Sequence, residues 1–362
     1  MKSFCVLNQK LNENTGKTIG SAVCAAMGRK IGIAYNSDEC SSFISSFIAD
    51  GAANSGGTAL VFGRCNESRV SFLVHRYALS ACFYVSGGDY VTVYGEDGKP
   101  VSVEDEKNIS DFASSSLLPE GGGSVIDISS DSAYLSLLTE ACGNLEDICA
   151  DIRCKNTELY ATVRRAFVFA GGTFSSKPCF YISSSGSCVS ALDECGNMLT
   201  HENLLNICCA HSLMSGKTVD VGFTAPRGLE DIAEQNSACL TRSFKGGYEL
   251  WQNDGVFLVA KILSVMAQKG EGLVTLASVL PDYVSFRRSV SCALSADKLA
   301  DLIKCSELVT DGERGVYART HIGDVLFTPC RSNGMYCMEV IANDRVSACE
   351  LADELCLTIE DR

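Results

Sequence analysis

The chain has 362 residues, 46% of them hydrophobic and six of them proline, a globular composition too long for one compact core and suited to two to four units. A formal net charge of −14, with 30 Lys+Arg against 44 Asp+Glu, weighs against nucleic acid or an anionic membrane surface as a partner, because clustered cations bind both. Residues 1–9 carry no charged start followed by an apolar run and a small-residue cleavage site. The longest apolar stretch, 256–266, is broken by Lys261, well short of the roughly 20 residues that span a bilayer. A soluble, cytoplasmic protein is expected.

Twenty cysteines invite a disulfide or zinc reading, but none forms a C-x-x-C pair, and Cys208 and Cys209 are adjacent. Cys24 and Cys82 sit among apolar neighbours, so cysteine is read as a small buried hydrophobe in a reducing cell. His75, His201, His211 and His321 show no metal or triad spacing. No P-loop, dinucleotide fingerprint or nucleophile elbow is present.

In chain order, residues 30–35 (KIGIAY) read as a strand, and Asn36, Ser37 and Asp38 offer caps for a helix in which Phe43, Ile44, Phe47 and Ile48 share one face. A strand at 58–62, a helix at 68–79 and a strand at 81–85 follow, an alternation that implies parallel pairing. Next come a strand at 90–94, a turn at 96–100 and an acidic helix start at 104–106. Residues 114–123 read as a linker, and 132–142 as a helix. Strands are expected at 166–170 and 179–182, a turn at 193–197 and a helix at 202–213. The next stretch offers a strand at 218–221 and helices at 229–237 and 254–269. The last seventy residues differ in kind. They offer a strand at 285–292, a helix from Ser295 to Cys305, two strands within 316–327 and a third at 335–342. A helix at 346–357 closes the chain, with Ala348, Leu351, Ala352 and Leu355 on one face.

Several short segments carry a resemblance. Residues 32–37 (GIAYNS) match a G-x-D-x-R-x-S strand and cap without its Arg. Residues 95–98 (GEDG) through 104–106 (EDE), 192–196 (LDECG) and 253–255 (NDG) match further scaffold segments in the right order. In these the chain resembles the α-D-phosphohexomutases, and looks most like their bacterial phosphoglucosamine and phosphomannomutase branch. The resemblance implies an α/β, multi-domain fold of three α/β domains with mixed sheets, plus a C-terminal α+β domain resembling the TATA-binding-protein fold. On that pattern the domains fall at 1–128, 129–214, 215–284 and 285–362, with the second and third shortened. The family moves a phosphoryl group between sugar positions through a phosphoserine beside a bound Mg²⁺.

The residues at the positions that carry this chemistry cannot do it. Aligned on the family's nucleophile loop, residues 84–90 (YVSGGDY) place Gly88 where the catalytic serine belongs, while Ser86 falls on a hydroxyl that is not the nucleophile. The three metal-binding aspartates become Ser183, Ser185 and Ser187, and the following Arg becomes Cys188. Neutral hydroxyls do not hold Mg²⁺ against water, and phosphoryl transfer needs that charge neutralised. No cofactor is therefore expected. The sugar-recognition loop falls within 241–249 (TRSFKGGYE), where Glu249 has the wrong spacing and a surface loop is the simpler reading. The phosphate-anchoring loop falls on 328–334 (TPCRSNG), in which Arg331 and Ser332 remain suited to an oxyanion.

The expected function is that of a catalytically inactive phosphohexomutase homologue with a regulatory or scaffolding role, pairing with itself or with an active mutase through its first domain. Two alternatives stand beside it. One is a non-catalytic sugar-phosphate sensor acting through Arg331 and Ser332. The other is an enzyme with a different activity in the old cleft, built on Ser86 or on a cysteine such as Cys188.

Overall fold

The structure is a computed structural model that describes residues 11–87, 90–115, 121–280, 283–292, 294–312, 314–330 and 334–360. The chain divides into two compact units, one of residues 1–204 and 248–274 and the other of residues 205–247 and 275–362.

The first unit opens with α1 (Glu13–Met27), which the sequence pattern does not announce because glycines interrupt its apolar face. Those glycines serve packing. A Cβ on Gly20 would lie 2.1 Å from the Ile48 carbonyl oxygen, and one on Gly51 would lie 2.1 Å from that of Lys17, so α1 meets the following helix backbone to backbone. Then come β1 (Lys30–Tyr35), α2 (Glu39–Asn54), β2 (Thr58–Arg64), α3 (Arg69–Tyr77), β3 (Ala81–Ser86), β4 (Tyr90–Gly95), α4 (Val103–Ser114) and β5 (Ser124–Asp127). They build a sheet of order β4-β3-β1-β2-β5, in which β1 runs parallel to β2 and β3, and β4 runs antiparallel to β3. Ile31, Ile33, Phe83 and Val85 of the central strands pack with Ile19, Val23 and Ile48 of the helices. Burial of apolar area of this kind is the main driving force of folding.

Within 114–123, residues 116–120 lie outside the described set, and Gly121 donates to the Asn54 carbonyl. Just beyond the predicted linker, β5 extends the sheet parallel to β2. All four of its residues are exposed, which leaves no apolar alternation to read.

A second sheet follows α5 (Asp131–Cys142). It contains β6 (Cys149–Cys154), β7 (Thr173–Ile182), β8 (Val189–Leu192) and β9 (Met198–Leu199) in that order, with α6 (Thr157–Phe169) between β6 and β7 and α7 (His201–Met214) after β9. The predicted strand at 166–170 is instead the C-terminal end of α6. Leu159, Val163, Ala166 and Phe167 are buried at helical spacing, and the Asn156 side chain caps the first turn by accepting from Glu158 and Leu159 N–H, so the apolar run continues a helix begun upstream.

The chain continues with β10 (Val219–Gly222), α8 (Gly228–Gln235), β11 (Leu240–Ser243), α9 (Leu250–Asn253), α10 (Gly255–Lys269) and α11 (Leu273–Ala277). β10 and β11 form a two-stranded parallel sheet. The closing module holds β12 (Val284–Ser291), α12 (Ala296–Ala300), β13 (Glu307–Asp311), β14 (Gly315–Arg319), β15 (Gly323–Pro329), β16 (Met335–Ala342) and α13 (Arg345–Glu360). Its antiparallel sheet has the order β12-β16-β15-β14-β13, and one face packs Val316, Phe327 and Val340 against Leu351, Ala352 and Leu355 of α13. The helix expected from Ser295 to Cys305 stops at Ala300. Leu302 and Ile303 turn back onto the carbonyls three residues earlier, which ends the helical ladder, and the Ser295 side chain makes no capping bond. Among the described residues no helix is long and apolar enough to cross a membrane.

Candidate functional site

Ser183, Ser185 and Ser187 share one tight connection, the turn between β7 and β8. Ser183 N–H donates to the Cys188 carbonyl at 2.9 Å and Gly186 N–H to the Ser183 carbonyl at 3.0 Å, so the backbone closes on itself. Gly186 holds φ +82°, a left-handed conformation that suits glycine. The three hydroxyls form a chain, with Ser183 Oγ 3.1 Å from Ser185 Oγ and Ser185 Oγ 2.7 Å from Ser187 Oγ. Ser183 Oγ also accepts from Cys188 N–H at 3.1 Å.

The outer side of the turn is equally engaged. Ser185 accepts through its carbonyl from Ser68 N–H at 3.2 Å, at the start of α3. The Asn156 amide donates both to Asn66 Oδ1 at 2.7 Å and to the Ser184 carbonyl at 3.3 Å. Gly186 is buried, and a Cβ there would meet Ser68 Oγ at 2.4 Å. A hard divalent cation such as Mg²⁺ is held by carboxylate and water oxygens at near-ideal octahedral geometry. Hydroxyls already bonded to one another, without a carboxylate, do not fit that requirement. Among the described residues no group of three or more His, Cys, Asp or Glu is placed to hold a metal ion.

Behind α3 lies a buried polar cluster. Arg69, 3% exposed, forms an ion pair with Asp131, whose side chain is exposed, and lies 4.4 Å above the Tyr134 ring centroid. The Tyr134 hydroxyl donates to Asp254 Oδ2 at 2.8 Å, and Asp254 Oδ1 accepts Val256 N–H at 2.8 Å as the cap of α10. Phe72 and Phe257 meet the Tyr134 ring edge-on at 5.3 and 5.4 Å. Burial pushes the Asp254 carboxyl up to about 7, against the opposing hydrogen bonds from Tyr134, Val256 and Phe257. Burial likewise pushes the neighbouring Cys65 thiol up to about 12, which keeps it protonated. The cluster joins α3, α5 and α10. Its one local signal in the sequence is the capping position of Asp254, because its partners lie far away along the chain.

The remaining predicted residues fare differently. Ser86 ends β3, pairs with Tyr90 of β4 and precedes Gly87 at φ +67°. Gly88, Arg331 and Ser332 lie outside the described residues. β15 and β16, which flank the last two, pair antiparallel out to Pro329 and Tyr336. In the segment expected to recognise sugar, Arg242 is committed to the protein, donating to Glu230 at 2.7 Å and to the Ala225 and Pro226 carbonyls. Glu249 is exposed and precedes α9, where its N–H donates to Gln252 Oε1. The turn at 193–197 is present, and both Asp193 carboxylate oxygens accept from Asn197. His201 Nδ1 accepts Val189 N–H at 3.4 Å. Cys188 is exposed at the end of the serine turn.

No protein-family model and no curated protein sequence matches the chain. Solved structures do. A phosphoglucomutase/phosphomannomutase family protein from Burkholderia thailandensis superposes with a TM-score of 0.75 at 13% identity, covering 99% of this chain and 95% of that one. A putative phosphomannomutase from Thermus thermophilus gives 0.65 at 13%, covering 98% and 97%. An N-acetylphosphoglucosamine mutase from Aspergillus fumigatus, solved with GlcNAc-6P and magnesium, gives 0.54 at 9%, covering 100% and 96%.

Proposed function

From a chain that has the fold of the phosphohexomutases, we propose a protein that does not catalyse phosphosugar mutation and serves a regulatory or scaffolding role. The observation that carries the reading is the serine turn. Where the resemblance calls for three carboxylates, three hydroxyls satisfy one another, and the turn's carbonyls bond to Ser68 and Asn156. Phosphoryl transfer is accelerated chiefly by positioning and by neutralising the charge that develops on the transferred group, and neutral hydroxyls at this turn recruit no cation to do so. Gly88 at the nucleophile position and Arg242 in an internal ion pair support the same conclusion.

On this proposal the fold acts in the cytoplasm as a surface. Its first α/β region pairs with a second copy or with an active mutase. The sequence keeps Arg331 and Ser332 between β15 and β16, and this favours a second reading as a sugar-phosphate sensor. Incubation with glucose 1,6-bisphosphate and magnesium, followed by intact-mass spectrometry, tests the non-catalytic reading. The expected spectrum carries no phosphoryl adduct, whereas a stoichiometric phosphoserine sinks it.

A further inference from the structure

We propose that a cavity in the second unit, at the start of α8, binds a small organic molecule carrying a single carboxylate on an apolar body, with Arg227 as its anchor. The cavity measures about 510 Å³, inside the roughly 300–1,000 Å³ range of small-molecule sites. Ile322, Ile341 and Tyr283 are the large apolar-bodied residues of its lining. Arg227, His321 and Asn343 supply the polar part.

Arg227 is held in place and only partly used. Its Nε and Nη2 donate to Asp324 Oδ1 at 3.1 and 2.7 Å, and Nη2 also donates to the Thr320 carbonyl at 2.8 Å. Asp324 is fully buried, so the guanidinium plane is fixed from beneath. Among the described residues Nη1 has no acceptor, which leaves two N–H donors on a side chain 38% exposed at the cavity. The side chains of His321 and Asn343 are exposed on the same cavity and make no hydrogen bond among the described residues. A preorganised guanidinium with spare donors recognises an oxyanion, and the apolar atoms that Ile322, Ile341 and Tyr283 add to a largely polar lining meet what it is attached to. Asp231 also lines the cavity and repels a second negative charge, which selects a carboxylate over a doubly charged phosphate ester. This site is independent of the serine turn and of whether the chain turns over phosphosugars.

Ligand-observed NMR tests the proposal with three probes of similar body, benzoate, benzyl alcohol and phenyl phosphate, added to the full chain. Benzoate is expected to bind saturably, with benzyl alcohol at least about tenfold weaker for want of a charge-assisted bond. Phenyl phosphate is expected to be weaker than benzoate. The double variant Arg227→Met with Asp324→Asn removes the anchor without leaving a buried charge unpaired, and is expected to weaken benzoate at least about tenfold. His321→Ala, at an exposed position, is expected to weaken it too without touching the fold. Equal binding of benzoate and benzyl alcohol, tighter binding of phenyl phosphate, or undiminished binding in both variants overturns the proposal.

Discussion

Replacing Asp254 with asparagine removes a buried ionisable group while keeping its shape and its capacity to cap α10. The wild-type carboxyl accepts from the Tyr134 hydroxyl and Val256 N–H, and burial raises it from an ordinary 3.8 to about 7. The folded state therefore holds a proton that the unfolded chain has lost across that window, and stability must fall as pH rises. Stability is lost progressively between about pH 4 and 7, to a total on the order of a few kcal/mol above pH 7. Asparagine carries no such penalty and is as good an N-cap as aspartate. Urea denaturation of both proteins from pH 4.5 to 8 isolates this group as the difference between two curves, since every other carboxylate is shared. Asp254→Asn is expected to be more stable than wild type at pH 8 by an amount on the order of a few kcal/mol, with the gap closing towards pH 4.5. A variant less stable at pH 8 would refute the reasoning, and would mean that Asp254 is ionised in the fold and stabilised by the nearby Arg69.

Gly186→Ala forces a left-handed backbone onto alanine and sets its Cβ 2.4 Å from Ser68 Oγ. A loss of about 1–3 kcal/mol in chemical denaturation is expected, and an unchanged midpoint contradicts the packing described for the turn. The triple change Ser183→Asp, Ser185→Asp and Ser187→Asp is expected to yield no mutase turnover, because Gly88 still lacks a nucleophile. Detectable turnover would place the nucleophile elsewhere. Arg331→Ala is expected to abolish any sugar-phosphate binding seen by thermal shift while leaving the midpoint of the free protein in place. Binding that survives the change removes Arg331 from the sensor reading.

The central strands of the first sheet are legible because burial on both faces makes them continuous apolar runs, as in residues 30–35 and 81–85. The exposed edge strand β5 has no such pattern, and α1 hides behind the glycines that its contact with α2 requires. The end of α6 reads as a strand because a short apolar run looks the same in a strand and in a helix; the buried Val163 and Leu159, three and seven positions before Ala166, decide it. At the site, the three serines at 183, 185 and 187 are legible residue by residue, and so is the absence of a carboxylate at each. The tertiary bonds around the turn and in the cluster behind α3 are not, since they join residues far apart in sequence. Ser68 reaches Ser185, Asn66 reaches Asn156, and Tyr134 reaches Asp254 across 120 positions. Local propensity carries no record of such pairs.

A coupled mutase assay tests the central claim most directly. The purified chain would be given glucose 1-phosphate, mannose 1-phosphate and N-acetylglucosamine 1-phosphate in turn, each with magnesium and glucose 1,6-bisphosphate. Conversion no faster than the protein-free control is predicted for all three. Conversion that rises in proportion to protein concentration, and that a Ser86→Ala change removes, would contradict it.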